Sequence, residues 1–366
     1  MKTNWQTIPF EKCLEKVKYP IKVQRKDFLT EGKYPIISQE KEFINGYWNE
    51  KNYLFQIKKP IIIFGDHTQV MKYVDFDFVL GADGIKIIEP VEKLNSKFLY
   101  YFLRNVKIKS LGYARHYRLL KEKFVPIPSL QTQKQIVKIL DEVFKSISKS
   151  KENAEKNLKN TKELFESYLE EIFSNPKKDW EEKNLGEVCE IIAGQSPEGK
   201  YYNSKQEGLP FYQGKKEYGL KYIGKPKVWT KKITKEALKG DILMSVRAPV
   251  GPINFCIERC CIGRGLASIR PNKNISNEFI FYFLLNNEKN LVGKGSVFSA
   301  INKSQIRNIS LFVPSLKEQK QIVQKLDALS KEIKELESIY KQKLKDLEEL
   351  KKSMLQKAFS GKLTKE

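Results

Sequence analysis

The chain carries one helix-forming stretch twice, and this repeat constrains its architecture more than any other feature. Pro128-Ser129-Leu130 opens a segment running to Ser174 that returns, without a gap, from Pro314-Ser315-Leu316 to Ser360. Gln133, Lys134, Gln135, Ile136, Val137, Leu140 and Asp141 recur as Gln319, Lys320, Gln321, Ile322, Val323, Leu326 and Asp327. The copies close in the same phase, with Ser167, Leu169, Phe173 and Ser174 answered by Ser353, Leu355, Phe359 and Ser360. A repeat at this separation divides the chain into two equivalent halves. Such halves predict an internal pseudo-two-fold axis and two similar surfaces, which suit a symmetric or two-sided partner.

Both copies read as long helices. In the first, Ile136, Leu140, Val143, Ile147, Ala154, Leu158, Phe165, Tyr168 and Ile172 fall mostly on alternating steps of three and four. In the second, Ile322, Leu326, Leu329, Ile333, Leu336, Tyr340, Leu344, Leu347, Leu350, Met354 and Ala358 do nearly the same. That spacing keeps one apolar seam on one side of a helix. Ala154 to Leu158 and Tyr340 to Leu344 form a stutter at matching places. Roughly 42 helical residues span about 60 Å. Each seam needs cover, and the economical solution pairs the two helices antiparallel within one chain; the alternative is an intermolecular coiled coil.

The formal net charge is +23. The two helical segments are nearly balanced in Lys against Asp and Glu, so the excess sits in the globular segments. Basic globular domains are the expected footprint of a polyanion, although a lysine-rich proteome alone also yields basic chains. No run approaches the ~18 apolar residues of a membrane span. The N-terminus lacks the apolar core of a signal peptide. Cys13, Cys189, Cys256, Cys260 and Cys261 are odd in number and unsuited to a disulfide frame, which favours free thiols and a cytoplasmic protein. No histidine lies near Cys256, Cys260 and Cys261, so no metal site is expected.

The division read from the sequence is 1–127 first globular domain, 128–174 central helix, 175–313 second globular domain, 314–360 C-terminal helix and 361–366 tail. The globular segments match weakly but in order. Trp5, Phe10, Pro35 and Gly65-Asp66 are aligned with Trp180, Leu185, Pro210 and Gly240-Asp241, and Gly84 with Gly265. Phe98 to Leu103 and Phe279 to Leu285 read as helices; Ile61 to Phe64 and Asp241 to Met244 read as strands. The expected class is α+β, with a twisted β-sheet and helices in each globular domain. Enzyme signatures are missing: there is no P-loop, no glycine-rich cofactor loop in strand-loop-helix context (Gly81-Ala82-Asp83-Gly84 is the nearest cluster), and His67 and His116 belong to no catalytic or metal constellation.

Several segments have the chemistry to read a nucleic acid. Gly112-Tyr113-Ala114-Arg115-His116-Tyr117-Arg118 concentrates bases and aromatics; arginine can address guanine bidentately. His67 follows a buried-type strand beside Asp66, which could accept from cytosine or stabilise its turn. In the second segment, Tyr212-Gln213-Gly214-Lys215-Lys216, Arg247 and Gln195 are comparable, with glutamine suited to adenine and lysine to phosphate. Arg264 lies between Gly263 and Gly265, where backbone can approach a ligand closely. Gln39 and Lys303 complete the DNA-binding set. Gln133, Lys134, Gln319 and Lys320 repeat more closely than a seam requires and are read as solvent-facing residues that dock a partner.

The layout resembles the specificity subunit of type I restriction–modification enzymes. The resemblance covers essentially the whole chain. It rests on the order domain, helix, domain, helix, on the twofold Pro-Ser-Leu-x-x-Gln-Lys-Gln-Ile-Val start, and on Ile191 to Pro197, Gly208 to Lys215 and Asp241 to Gly251. Tyr34 to Gln39 and Gly65 to Thr68 resemble a different recognition-domain subtype. The resemblance implies a non-catalytic DNA-recognition subunit. Each target-recognition domain reads half of a bipartite duplex target, and the paired helices set the spacing and dock two modification subunits. S-adenosylmethionine belongs to those methyltransferase partners, and ATP and Mg to restriction subunits; this chain holds no cofactor. The open alternatives are a coiled-coil scaffold whose basic domains bind RNA or an acidic protein, and an enzyme with a diverged site.

Overall fold

A computed structural model describes residues 5–81, 84–112, 114–291 and 300–364. Ala82, Asp83 and Tyr113 lie outside the described residues. The chain divides into two compact units, Met1–Glu155 with Gln342–Glu366, and Lys156–Lys341. Each unit therefore holds one globular domain, the first part of one long helix and the last part of the other.

The first unit runs β1 (Gln6–Pro9), β2 (Lys22–Val23), β3 (Tyr34–Ile37), β4 (Gly46–Trp48), β5 (Leu54–Phe55), β6 (Ile61–Gly65), β7 (Met71–Val74), β8 (Phe78–Gly81), β9 (Ile85–Ile88), α1 (Ser96–Asn105), α2 (Tyr117–Lys121), β10 (Phe124–Ile127) and the start of α3 (Leu130–Ser174). β6 is the centre of an antiparallel sheet between β7 and β9, and β3 lies parallel to β8 in a mixed sheet. Ile61 to Phe64 form a continuous apolar run because β6 is buried throughout. α1 forms because Asn95 caps it, accepting from the Lys97 and Phe98 amides, and because Phe98, Leu99, Phe102 and Leu103 share a buried face.

The second unit follows the end of α3 with β11 (Glu181–Asn184), α4 (Leu185–Val188), β12 (Cys189–Ala193), β13 (Tyr202–Asn203), β14 (Leu209–Tyr212), β15 (Trp229–Thr230), β16 (Glu236–Ala237), β17 (Ile242–Ser245), β18 (Ile253–Phe255), β19 (Cys260–Ile262), β20 (Leu266–Pro271), α5 (Asn277–Leu291), α6 (Lys303–Arg307), β21 (Ser310–Val313) and the start of α7 (Leu316–Phe359). β17 lies antiparallel between β18 and β20, and β14 runs parallel to β19. This is the plan of the first unit again, so the α+β class holds for both domains.

The strand pairings correct one sequence alignment. Gly65 ends β6 and faces Ile85, while Gly240-Asp241 precede β17, whose last residue Ser245 faces Leu266. Gly65-Asp66 therefore corresponds to Ser245-Val246. Gly-Asp pairs mark turns at either end of a strand, so the shared dipeptide does not mark equivalent positions. The matches of Gly84 with Gly265 and of Pro35 with Pro210 fit the pairing.

The long helices start after Ser129 and Ser315, whose hydroxyls accept from the Thr132 and Glu318 amides. They run antiparallel inside each unit. In the first, Leu140 shares a core with Leu355 and Ala358, and Lys151 meets Glu348 at 2.9 Å. In the second, Leu169 shares a core with Leu326, and Asn157 Nδ2 donates to the Tyr340 hydroxyl at 3.2 Å. Phe359 sits against Phe98 and Phe102 in one unit, and Phe173 sits against Phe279 and Phe283 in the other. The last turn of each long helix thus plugs the domain helix of its unit. Two seam positions are corrected: Leu336 and Leu350 are exposed, and Leu169 and Leu355 are buried in addition to the seam residues. Each long helix packs on the domain helix of its unit as well as on the other long helix, so the buried stripe turns toward the domain helix.

Candidate nucleic-acid interface

In the second unit, five loops are tied by hydrogen bonds into one tip. The Gln195 amide donates to the Ile262 carbonyl at 3.0 Å, and the Arg264 amide to Ser196 Oγ at 3.2 Å. The Gly263 amide donates to the Tyr212 carbonyl at 2.8 Å, and the Val246 amide to the Gly265 carbonyl at 3.0 Å. Ile301 then donates to the Val246 carbonyl at 3.0 Å, and Arg247 bridges Ala300. These contacts bring together Gln195, Gln213, Arg247, Arg264 and the start of α6 at Lys303. All five side chains are exposed, as are Lys215 and Lys216 on the turn after Gln213.

Glycine permits this closeness at two positions. A Cβ on Gly194 would overlap the Gly263 carbonyl oxygen and stand 2.7 Å from the Leu266 carbonyl oxygen. A Cβ on Gly265 would overlap the Gln213 carbonyl oxygen. Arg270, by contrast, is committed to structure: it forks onto buried Asp241 at 3.0 and 2.8 Å and reaches Glu190 at 3.0 Å.

The first unit repeats the arrangement with other side chains. The Asp66 amide donates to the Gly84 carbonyl at 2.6 Å, and the His116 amide to the Asp66 carbonyl at 2.8 Å. These are the counterparts of the Val246–Gly265 and Ile301–Val246 bonds. The His67 amide donates to Gln39 Oε1 at 3.3 Å, and Thr68 Oγ1 donates to the Gln39 carbonyl at 2.5 Å. Gln39 and His67 thus meet at this tip, and Arg115 and Arg118 stand exposed on either side of His116.

Five residues read from the sequence as contacts are placed elsewhere. His116 is buried, with Nδ1 2.9 Å from the Asp66 carbonyl and Nε2 accepting from the Leu111 amide at 3.0 Å; it braces the loop that carries Arg115. Tyr212 is buried, its hydroxyl donating to the Gly224 carbonyl at 3.0 Å. Tyr117 is half-buried against Phe10 and Phe64, and burial pushes its phenol up to about 12. Gln133 and Gln319 are fully buried, not solvent-facing. Gln133 accepts from the Asn95 amide and donates to the Lys93 and Pro128 carbonyls, and Gln319 accepts from the Ser276 amide and donates to the Pro314 carbonyl. A buried amide side chain needs these partners, so both glutamines serve their own unit. Lys134 and Lys320 remain exposed. Asp66 is a turn residue: it is buried and accepts from the Tyr117 amide at 2.7 Å.

Sequence reading missed Thr234, which donates to the Gln195 carbonyl, and Asn302, which forms a reciprocal capping box with Gln305 at 2.9 Å in each direction. The Asn-x-x-Gln spacing was the available signal for the second. It also missed Lys72, which is buried and donates to the Phe43 carbonyl at 3.2 Å and to Asn45 Oδ1 at 2.9 Å, pinning the loop after Gln39. Burial lowers its pKa from 10.5 to about 8, against a smaller opposing pull from Glu42. The unfolded chain therefore holds a proton here that the folded chain has lost between about pH 8 and 10.5. Stability must rise with pH across that window. The first unit is expected to gain stability relative to a Lys72→Met variant as pH rises from about 7 to about 9.5. Thermal melts of both proteins check this; a constant difference would contradict it.

Among the described residues no group of His, Cys, Asp and Glu could hold a metal, all five cysteines are free and buried, and no helix is long and apolar enough to cross a membrane.

The sequence matches the type I restriction modification DNA specificity domain twice, over residues 4–159 and 177–347. It is 35% identical over 314 residues to a Methanocaldococcus jannaschii chain assigned as the type I restriction enzyme MjaX specificity subunit, covering 78% of this chain and 73% of that one. It is 25% identical over 344 residues to the EcoR124I/EcoR124II specificity subunit of Escherichia coli, covering 86% and 84%. Among solved structures, a chain from work on complex assembly and conformational transition of the type I R-M system superposes with a TM-score of 0.82 at 25% identity, covering 99% of both chains. The HsdS subunit from Thermoanaerobacter tengcongensis superposes at 0.63 with 26% identity, covering 98% and 97%. Each matched stretch takes in one of the two domains whose tips are built alike together with most of the long helix that follows it, and the chain belongs to the family of type I restriction–modification DNA specificity subunits.

Proposed function

We propose that each globular domain reads one half of a bipartite duplex DNA sequence through its tip, and that the chain itself carries out no chemistry. The observation that carries this reading is the recurrence of one backbone scaffold with different polar side chains at its tip. One unit carries half-buried Gln39 and His67 with exposed Arg115 and Arg118, and the other carries exposed Gln195, Gln213, Arg247 and Arg264. A common scaffold with different polar ends suits two different base sequences. The flanking lysines suit phosphate and supply affinity without sequence preference. In this reading the long helices set the gap between half-sites and dock two modification subunits, with exposed Lys134 and Lys320 near the docking face. Those partners hold S-adenosylmethionine and methylate the DNA; restriction subunits using ATP and Mg join them. The assembly works in the cytoplasm.

The test is binding by the complex with its modification subunit. Arg264→Ala should lower discrimination at one base position of one half-site by about 1–3 kcal/mol. Lys215→Ala should weaken binding to all duplexes alike and reduce the slope of log affinity against log salt by about 1. A wild-type complex that binds all duplexes equally would overturn the reading.

A further inference from the structure

The start of each long helix is fastened to its domain helix at two points, with the same spacing in both units. In the first, Gln133 Oε1 accepts from the Asn95 amide at 2.8 Å, just before α1. Asp141 accepts from the Tyr101 hydroxyl and pairs with Lys97 at 2.8 Å. In the second, Gln319 Oε1 accepts from the Ser276 amide at 2.8 Å, just before α5. Asp327 accepts from the Tyr282 hydroxyl at 2.5 Å and pairs with Lys221 at 2.7 Å. The step from Gln133 to Asp141 equals the step from Gln319 to Asp327, and that from Asn95 to Tyr101 equals that from Ser276 to Tyr282. The lysine differs: Lys97 comes from α1, and Lys221 from the loop after β14. The shared device is therefore the Gln–Asp pair on the long helix and the Tyr on the domain helix.

One such contact leaves a pivot; two along parallel helices define a direction. A seam between the long helices needs neither contact. We propose that the Gln133–Asp141 and Gln319–Asp327 pairs are positioning residues that fix the direction of each domain on its helix, and thereby how strictly the complex selects the gap between half-sites. This rests on the bipartite reading of the target. The hydroxyl-to-carboxylate bond is charge-assisted and so about twice as strong as a neutral one. Both tyrosine rings are also packed, Tyr101 on Phe144 at 5.3 Å and Tyr282 on Phe165 at 6.3 Å, so Tyr→Phe removes the bond and keeps the packing.

Two readouts test this. Spin labels at Gln195→Cys and Lys331→Cys, both exposed positions of the second unit, report the direction of its tip without DNA. Tyr282→Phe should broaden their distance distribution; Asp327→Asn, which keeps an acceptor, should broaden it less. The second readout uses duplexes that the wild-type complex selects from a randomised pool, and the same duplexes with one base pair added to the gap. Tyr101→Phe combined with Tyr282→Phe should lower the preference for the native gap about tenfold, the scale of losing a hydrogen bond to a charged group. An unchanged distribution in both unit-two variants would overturn the proposal, as would a broadened one with unchanged gap preference. A wild-type complex that selects no bipartite duplex would overturn the functional reading instead, and the label distances would still decide the positioning role.

Discussion

Leu326→Asp is expected to abolish cooperative melting of the second unit. Leu326 is fully buried in the cluster that contains Leu169, Phe279, Phe283 and Leu311, where α7, α3 and α5 meet. Truncating such a leucine costs about 2–5 kcal/mol. An unpaired carboxylate in an apolar site costs several more, whether it ionises or takes up a proton. The total rivals the roughly 5–15 kcal/mol that holds a typical domain together. Leu140→Asp should act in the same way on the first unit, where Leu140 lies with Phe98, Leu355 and Ala358. Calorimetry of both variants checks the assignment. Wild-type melting profiles in both would contradict the packing described here.

Gly194→Ala is expected to abolish reading by the second tip while the first remains intact. The added methyl would meet two backbone carbonyls, of Gly263 and Leu266, which cannot swing aside as a side chain can. β12 and the Gly263-Arg264-Gly265 turn would have to separate, carrying Gln195 and Arg264 out of register. The overpacking itself should cost about 1–3 kcal/mol of stability. The loss of reading should be larger, since each misplaced base contact costs about 1–3 kcal/mol and several move together. Competition binding with duplexes altered in one half at a time measures it. Retention of normal discrimination at both halves would show that the tip is not the reading surface.

The helices and their pairing were legible in the sequence because a sustained three-four spacing lines apolar residues along one face of a helix and of no other regular element. The domain helices were legible as short apolar runs. Burial of polar side chains was not. Gln133 and Gln319 repeat because the start of each domain helix needs an acceptor, yet close repetition looked the same as a partner surface would. His116 and Tyr212 have side chains that suit DNA and also suit a buried brace, and residue type does not distinguish the two. Asp141 and Asp327 were visible as a repeat, but their tyrosine partners sit in diverged segments at a different offset. The tips were legible only in part: Gln195, Gln213, Arg247 and Arg264 stood in separate motifs, and strand register, which the sequence did not specify, brings them to one place.

If each domain specifies its own half of the target, exchanging one domain must exchange one half-site. Residues 175–313 would be replaced by the corresponding segment of a related specificity subunit, with both long helices kept, and methylated bases would be mapped across the host genome. A hybrid motif is expected: one half unchanged, the other half that of the donor, and the original gap between them. A motif unchanged in both halves, or altered in both, would contradict it.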